Sequence, residues 1–167
     1  MIVTSGHFTA GIVDDVEAAE VTPGPTVQGG SVHAPGGRRA VVELTQRISG
    51  HPQHALLGGA WMAGKGASLE VLVPTGAPTL LTSDAWCTGP LGRSLIPGLP
   101  DEFALAVRAT LKSAIPVPGV LTVDRAAYDP VESSPAAFRT AATVLAAVLM
   151  AEPTAAREVT ASALAAL

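Results

Sequence analysis

The clearest hydrophobic pattern lies in the last third of the chain, where apolar positions alternate over residues 119–128 and then recur at helical spacing. Pro130 follows the alternating segment and ends a strand. Ser134 is a suitable N-cap, and Pro135 suits the first helical position because its missing N–H has no partner there. The positions of the apolar stripe are Phe138, Ala141, Ala142, Leu145, Val148 and Leu149. The pattern predicts a strand, a turn and a helix that ends at Pro153.

The first 48 residues are β-rich. Short strands are predicted at 2–8 and 11–16, and a long hairpin is predicted from strands at 26–32 and 40–45. The Gly-rich segment 33–39 would form the tip of that hairpin.

The middle of the chain is less regular. The glycines and the His-Pro pair of residues 49–68 predict a loop or a short distorted helix. Strands are predicted at 69–73 and 79–87, joined by a turn at 75–78.

Two further helices complete the pattern. One is predicted at 101–114, with Asp101 as its cap, and an Ala-rich helix is predicted at 154–167. Strands, helix, strand, helix and helix in this order predict an α+β fold with helices on one face of a sheet. A length of 167 residues fits a single domain, 1–167.

Composition adds two possibilities about the surface. Charged residues are 14% of the chain, against about 25% in an ordinary soluble domain, and the mean hydropathy is +0.40. Either the source proteome is rich in Ala, Val and Leu, or part of the surface is buried in a protein partner or a homodimer.

The net charge of −4 equals the four acids that precede the first basic residue, Arg38; these are Asp14, Asp15, Glu17 and Glu20. Without alternating ligands and a central Gly, they indicate a solvated face and no metal site.

The chain carries no signal of export or membrane insertion. Its first residues lack a basic flank and a long apolar core, and the longest apolar run, 141–151, is far shorter than the roughly 20 residues of a membrane span. The expectation is a cytoplasmic protein without membrane contact.

No motif predicts a catalytic residue, a cofactor or a metal. Residues 59–65 match the first part of a phosphate-binding loop, but Gly66 replaces the required Ser or Thr and a strand follows in place of a helix. Cys87 fits a small buried residue, and Ser133 and Ser134 have no neighbouring base in the sequence. A weaker idea is a small-molecule enzyme with a pocket near His51, His54 and Trp61.

The basic pair of the predicted hairpin tip is the candidate binding site. Gly36, Gly37, Arg38 and Arg39 would place two guanidinium groups on a flexible turn, where they can grip phosphates. The other interpretation is a solvated β-turn, because two arginines release few counterions and the chain is acidic overall.

The C-terminal half resembles domain IV of the ribosomal translocase, elongation factor G. That family has a helix of the form Glu-aromatic-x-x-Ala-Val, preceded by Ile-Pro and followed by a strand and the signature Tyr-His-x-Val-Asp-Ser-Ser-x-x-Ala-Phe. The matching helix positions are Glu102, Phe103, Ala106 and Val107, after Ile96-Pro97. The matching signature positions are Tyr128, Val131, Ser133, Ser134, Ala137 and Phe138, with Asp129 replacing His and Glu132 replacing Asp. The match covers residues 95–152. The family's Gly-Gly-Arg tip loop has a counterpart in Gly36, Gly37 and Arg38, with Gln28-Gly29-Gly30 as the competing assignment.

This resemblance implies a ribosomal protein S5 domain 2-like fold, with the β-rich segment 1–48 preceding the matched core. It also implies a role in translation without GTPase activity, because the G domain of such factors lies elsewhere. The first hypothesis is therefore a stand-alone, non-GTPase relative of domain IV that binds the ribosome or RNA through the Gly/Arg tip. The alternative is a protein-interaction or homo-oligomerisation module with the same fold and no RNA binding.

Overall fold

The computed structural model of the chain describes residues 1–14, 37–75 and 87–166. The strands are β1 Ile2–Ser5, β2 Phe8–Asp14, β3 Gly37–Ile48, β4 His51–Ala63, β5 Leu69–Leu72, β6 Cys87–Thr88, β7 Ser94–Pro97 and β8 Gly119–Tyr128. The helices are α1 Asp101–Ala114, α2 Pro135–Met150 and α3 Ala156–Ala165, and a 3₁₀ turn at Pro153–Ala155 precedes the last. The α+β class predicted from the sequence is confirmed.

Within the described residues, the strands form one sheet in the order β1-β2-β3-β4-β8-β7-β6. These neighbours are antiparallel, and β5 adds a parallel pairing to the first half of β8. The long strands β3 and β4 form a hairpin through the Ser49-Gly50 turn, where both residues have positive φ. This hairpin is the centre of the sheet, because β2 extends it on one side and β8 on the other.

The two faces of the sheet are covered differently. The helices pack on one face, which we call the helix face, over a large apolar core that includes Val42, Leu57 and Leu121. On the opposite face, which we call the open face, a second apolar cluster lies between the sheet and the 87–97 segment; its members are Val41, Leu56, Cys87, Leu95 and Ala127. Adjacent residues of β3 alternate between the two faces, as strand geometry requires.

The turn between β8 and α2 forms as its sequence predicts. The Ser134 side chain accepts a hydrogen bond from the Ala137 N–H at 3.1 Å, and Pro135 is the first helical residue. The Ser133 hydroxyl accepts from the Asp129 N–H at 2.9 Å and donates to the His54 carbonyl at 2.6 Å. The two serines therefore cap the helix and fasten the turn to β4.

The prediction for residues 49–68 is wrong, because most of this segment is the strand β4. Its glycines do not break the strand; they permit the neighbouring strands β3 and β8 to approach closely. A Cβ at Gly58 would lie 2.8 Å from a Val41 methyl, and one at Gly59 would lie 2.8 Å from the Thr122 carbonyl oxygen.

Several predicted boundaries also need correction. The strand β3 begins at Gly37, so residues 37–39 belong to a strand and not to a turn. The N-cap of α1 is Pro100, with Asp101 as the first helical residue, where its charge favours the helix dipole. The predicted strand at 26–32 and the turn at 76–78 lie outside the described residues, as does most of the strand predicted at 79–87.

No helix in the described parts of the chain is both long enough and apolar enough to cross a membrane.

Removal of the α2 cap should weaken the fold measurably. We expect Ser134→Ala to lower the free energy of unfolding by about 1 kcal/mol, because the Ala137 N–H loses its acceptor. Urea denaturation followed by circular dichroism measures the change. Ser113→Ala is the matched control, since Ser113 is an exposed residue in the last turn of α1 and should change stability by only a few tenths of a kcal/mol. Equal stability of Ser134→Ala and the parent protein would contradict the capping role.

Candidate nucleic-acid interface

The structure places the two arginines of the predicted tip at the start of β3. Arg38 lies opposite Trp61 of β4, and Arg39 lies opposite Ala60. Because neighbouring residues of a strand point to opposite faces, Arg38 is on the helix face and Arg39 is on the open face. One phosphate group therefore cannot contact both guanidinium groups from the same side of the sheet. Gly36 lies outside the described residues, and Gly37 is the first residue of the strand.

A β-bulge brings further charged residues next to Arg39. The pairing of β4 with β8 shifts between Gly58, which faces Arg125, and Gly59, which faces Val123. Asp124 is the extra residue of this bulge. A Cβ at Gly58 would lie 2.9 Å from the Arg125 Cβ, so Arg125 is on the open face beside the glycine.

The carboxylate of Asp124 pairs with Arg39 and is influenced by the charge of a second cation, Arg125. Arg39 Nη2 contacts Asp124 Oδ2 at 2.8 Å, and both side chains are mostly buried. Burial raises the pKa of the Asp124 carboxyl, although the charges of Arg39 and Arg125 act in the opposite direction. We call Arg39, Asp124 and Arg125 the bulge cluster; it contains two guanidinium groups and one carboxylate, which pairs with Arg39.

The surroundings of the bulge cluster contain charges of both signs. Lys65 is exposed in the turn after β4, at the same end of the sheet. Glu70 of β5 lies opposite Val120, farther out on the open face. The side chain that most directly opposes binding of an anion here is therefore Asp124, because it contacts Arg39 itself.

Sequence reasoning missed Asp124 and Arg125. Both belong to the correctly predicted strand 119–128, but the alternating pattern assigns them to opposite faces. The extra residue of the bulge breaks this alternation. The pair Gly58-Gly59 is the signal that could have indicated the bulge, because glycine inside a strand often marks one.

A second group of ionisable residues is fully buried on the open face. His54 Nε2 and Glu43 Oε1 are 2.7 Å apart, and both side chains are completely inaccessible to solvent. The second Glu43 oxygen accepts a hydrogen bond from the Leu91 N–H, so the carboxylate connects β3, β4 and the loop before β7. His54 Nδ1 has no hydrogen-bond partner among the residues that the structure describes.

Glycines create the space for this buried pair. A Cβ at Gly89 would clash with the Glu43 carboxylate, and a Cβ at Gly11 would lie 2.9 Å from Leu91 and Pro90. Residues 89–91 can therefore lie directly on β2 and β3.

The pocket considered near His51, His54 and Trp61 does not form. His51 and His54 are three residues apart in β4, so they point to opposite faces, and His54 is buried against Glu43. Trp61 is near the other end of the strand and packs against the main core. Cys87 is buried in the second apolar cluster, as expected, and burial raises the pKa of its thiol.

The segment 59–65 does not have the shape of a phosphate-binding loop. Residues 59–63 are in β4, and the next element is the strand β5. Within the described residues 59–75, no helix N-terminus is present to bind phosphate. The prediction that a strand, and not a helix, follows this segment is confirmed.

The sequence matches no protein-family model and no curated protein. Among solved structures, the chain is similar to a crystal structure of a protein from Thermus thermophilus, with a TM-score of 0.45 and 17% sequence identity. The similarity covers 76% of this chain and 16% of the other, so this chain spans about a sixth of that protein's length.

Proposed function

We propose that this protein is a non-GTPase, RNA- or ribosome-binding module related to domain IV of elongation factor G, with a ribosomal protein S5 domain 2-like fold. The observation that carries the proposal is the bulge cluster, where Arg39 pairs with Asp124 at 2.8 Å and Arg125 adds a second guanidinium on the open face. Guanidinium groups bind phosphate oxygens through parallel hydrogen bonds, so the two arginines of the bulge cluster have the chemistry that an RNA backbone requires.

The positions behind the family resemblance support this relationship through their structural roles. Ser133 and Ser134 fasten and cap the β8–α2 turn, and Phe138 stacks on Phe103 with a ring-centroid distance of 5.0 Å. These residues shape the fold, so RNA contact is assigned to the other end of the sheet. In this proposal Arg38 and Arg39 at the start of β3 form one part of the RNA interface, and Arg125 extends the interface along the open face.

The interface differs from the one expected from the sequence. Arg38 and Arg39 contact RNA from opposite faces of the sheet, at the end where β3 begins. The bound RNA strand therefore passes over the start of β3 and does not lie in a flat groove. Arg39 and Arg125 contact the phosphate backbone, which gives affinity without sequence specificity.

Substitution of the arginines tests the proposal. We expect Arg38→Ala/Arg39→Ala to weaken binding of a labelled RNA hairpin at least tenfold, because charge-assisted hydrogen bonds contribute about 1.5–3 kcal/mol each. The slope of log affinity against log salt should fall by about 1 to 2, in line with the loss of two phosphate contacts. Fluorescence anisotropy across a salt series measures both quantities.

Two further variants separate lost contact from lost folding. Asp124→Asn should bind RNA more tightly than the parent, because it removes the carboxylate that contacts Arg39. Arg108→Ala/Arg157→Ala, with both substitutions at exposed positions of α1 and α3, should leave the affinity unchanged. Equal losses in the two double variants, or no gain in Asp124→Asn, would contradict the assigned interface. Failure of the parent to bind RNA, together with a stable dimer, would favour the oligomerisation module.

A further inference from the structure

A polar cleft lies on the open face at the end of the sheet remote from the bulge cluster. Its volume is about 540 Å³, which is in the usual range of small-molecule sites. Arg47, which lines it, is eight residues along β3 from Arg39, or about 26 Å at the usual rise of a strand. The cleft is thus separate from the proposed RNA interface.

Threonines from two strands line the cleft. Thr9 of β2 and Thr45 of β3 are directly opposite each other in the sheet, and both line the cleft. Arg47 is on the same face as Thr45, and His7 comes from the tight β1–β2 turn, where Gly6 has a φ of 56°. Two hydroxyl groups, a guanidinium and an imidazole therefore converge from three segments.

Further walls come from the start of β4, the loop before β7 and the turn before α2. Leu91 and Arg93 form one wall, and Glu132 forms part of another. Arg93 Nη1 is 2.9 Å from Glu132 Oε2, and the Glu132 carbonyl accepts from the His54 N–H at 2.9 Å. The ion pair with Glu132 therefore places the Arg93 guanidinium at the cleft.

The buried pair of Glu43 and His54 explains the shape of the cleft. Glu43 accepts from the Leu91 N–H, which places Leu91 and Arg93 over the sheet, while the His54 backbone binds the turn that carries Glu132. Burial of two ionisable groups is unfavourable unless their contacts compensate for it. Here those contacts also fix two walls of one cleft.

The charges of the cleft favour an anion. Arg47 and Arg93 contribute two positive charges, while Glu132 contributes the single carboxylate of the lining. Arg47 is exposed and has no ion pair among the described residues, whereas Arg93 is already paired. Guanidinium groups bind phosphate and carboxylate oxygens through two parallel hydrogen bonds.

We infer that this cleft binds a small molecule that carries a compact oxyanion, either phosphate or carboxylate. Arg47 binds the oxyanion, and the Thr9 and Thr45 hydroxyls bind neighbouring polar groups of the ligand. Arg93 is a positioned second donor. The inference does not depend on the proposed RNA interface, which uses other residues at the other end of β3.

A two-dimensional ¹H–¹⁵N NMR titration of the full chain tests the inference. The probes are ribose 5-phosphate for the phosphate arm and succinate for the carboxylate arm. One of them should produce saturable shifts in the amides of Thr9, Thr45, Arg47 and Arg93, and the stronger arm identifies the oxyanion. Arg47→Gln should weaken that binding at least tenfold, while Arg108→Gln should leave it unchanged.

Arg47 is exposed, so Arg47→Gln should fold as the parent does. A ¹H–¹⁵N spectrum that matches that of the parent away from residue 47 verifies the fold. Linear, non-saturating shifts with both probes would overturn the inference. Equal shifts around Arg108, Arg157 and the cleft would also overturn it, because they indicate non-specific attraction of anions.

Discussion

Glu43→Ala is expected to lower the free energy of unfolding by about 3–5 kcal/mol, the typical effect of removing one partner of a buried pair. Glu43 is fully buried and accepts hydrogen bonds from two different parts of the chain. Its removal leaves His54 Nε2 and the Leu91 N–H without their partner, and each unpaired buried donor costs about 1–3 kcal/mol. Urea denaturation followed by tryptophan fluorescence measures the loss.

Related variants show whether the pair itself is responsible. Glu43→Gln keeps the shape of the side chain and one acceptor oxygen, so it should lower the free energy of unfolding clearly less than Glu43→Ala does. In a double-mutant cycle with His54→Ala, the second substitution should cost much less once the first is present, because the shared contact is already gone. Additive losses, or a loss below about 1 kcal/mol for Glu43→Ala, would show that the pair does not hold the open face together.

The second large effect is expected at the centre of the helix layer. Phe138 of α2 is fully buried and stacks on Phe103 of α1 at an interplanar angle of 24°. We expect Phe138→Ala to lower the free energy of unfolding by about 3–5 kcal/mol, through lost burial and the cavity that remains. Chemical denaturation monitored by circular dichroism measures it.

Val131→Ala provides the control for this substitution. Val131 lies in the turn before α2, and its side chain is 90% exposed. Its truncation should change stability by less than about 0.5 kcal/mol. If both substitutions had the same small effect on stability, that result would contradict the packing of α2 against α1 and the sheet.

The parts of the fold that the sequence predicts are those whose signals are local. Ser134 and Pro135 mark the start of α2, and the apolar alternation over 119–128 marks β8. These signals act over a few residues, so they persist whatever the rest of the chain does. The strand β4 lacks such a local signal. Its glycines are explained only by the neighbouring strands β3 and β8 that approach them.

The charged clusters could not be read from the sequence for a related reason. Glu43 belongs to a predicted strand, but its burial follows from contacts with His54 and Leu91, which lie 11 and 48 residues away along the chain. Asp124 and Arg125 share a face only because one residue is inserted into the β8 ladder. Arg39 of the predicted tip pairs with Asp124, a carboxylate partner that the sequence pattern does not predict.

Co-sedimentation of the purified protein with ribosomes across a salt series tests the proposed function most directly. Size-exclusion chromatography with light scattering, on the protein alone, gives the oligomeric state. We expect binding at low salt that weakens steeply as the salt concentration rises and is lost in Arg38→Ala/Arg39→Ala. Absence of binding at low salt, with a stable dimer in isolation, would contradict the proposed function.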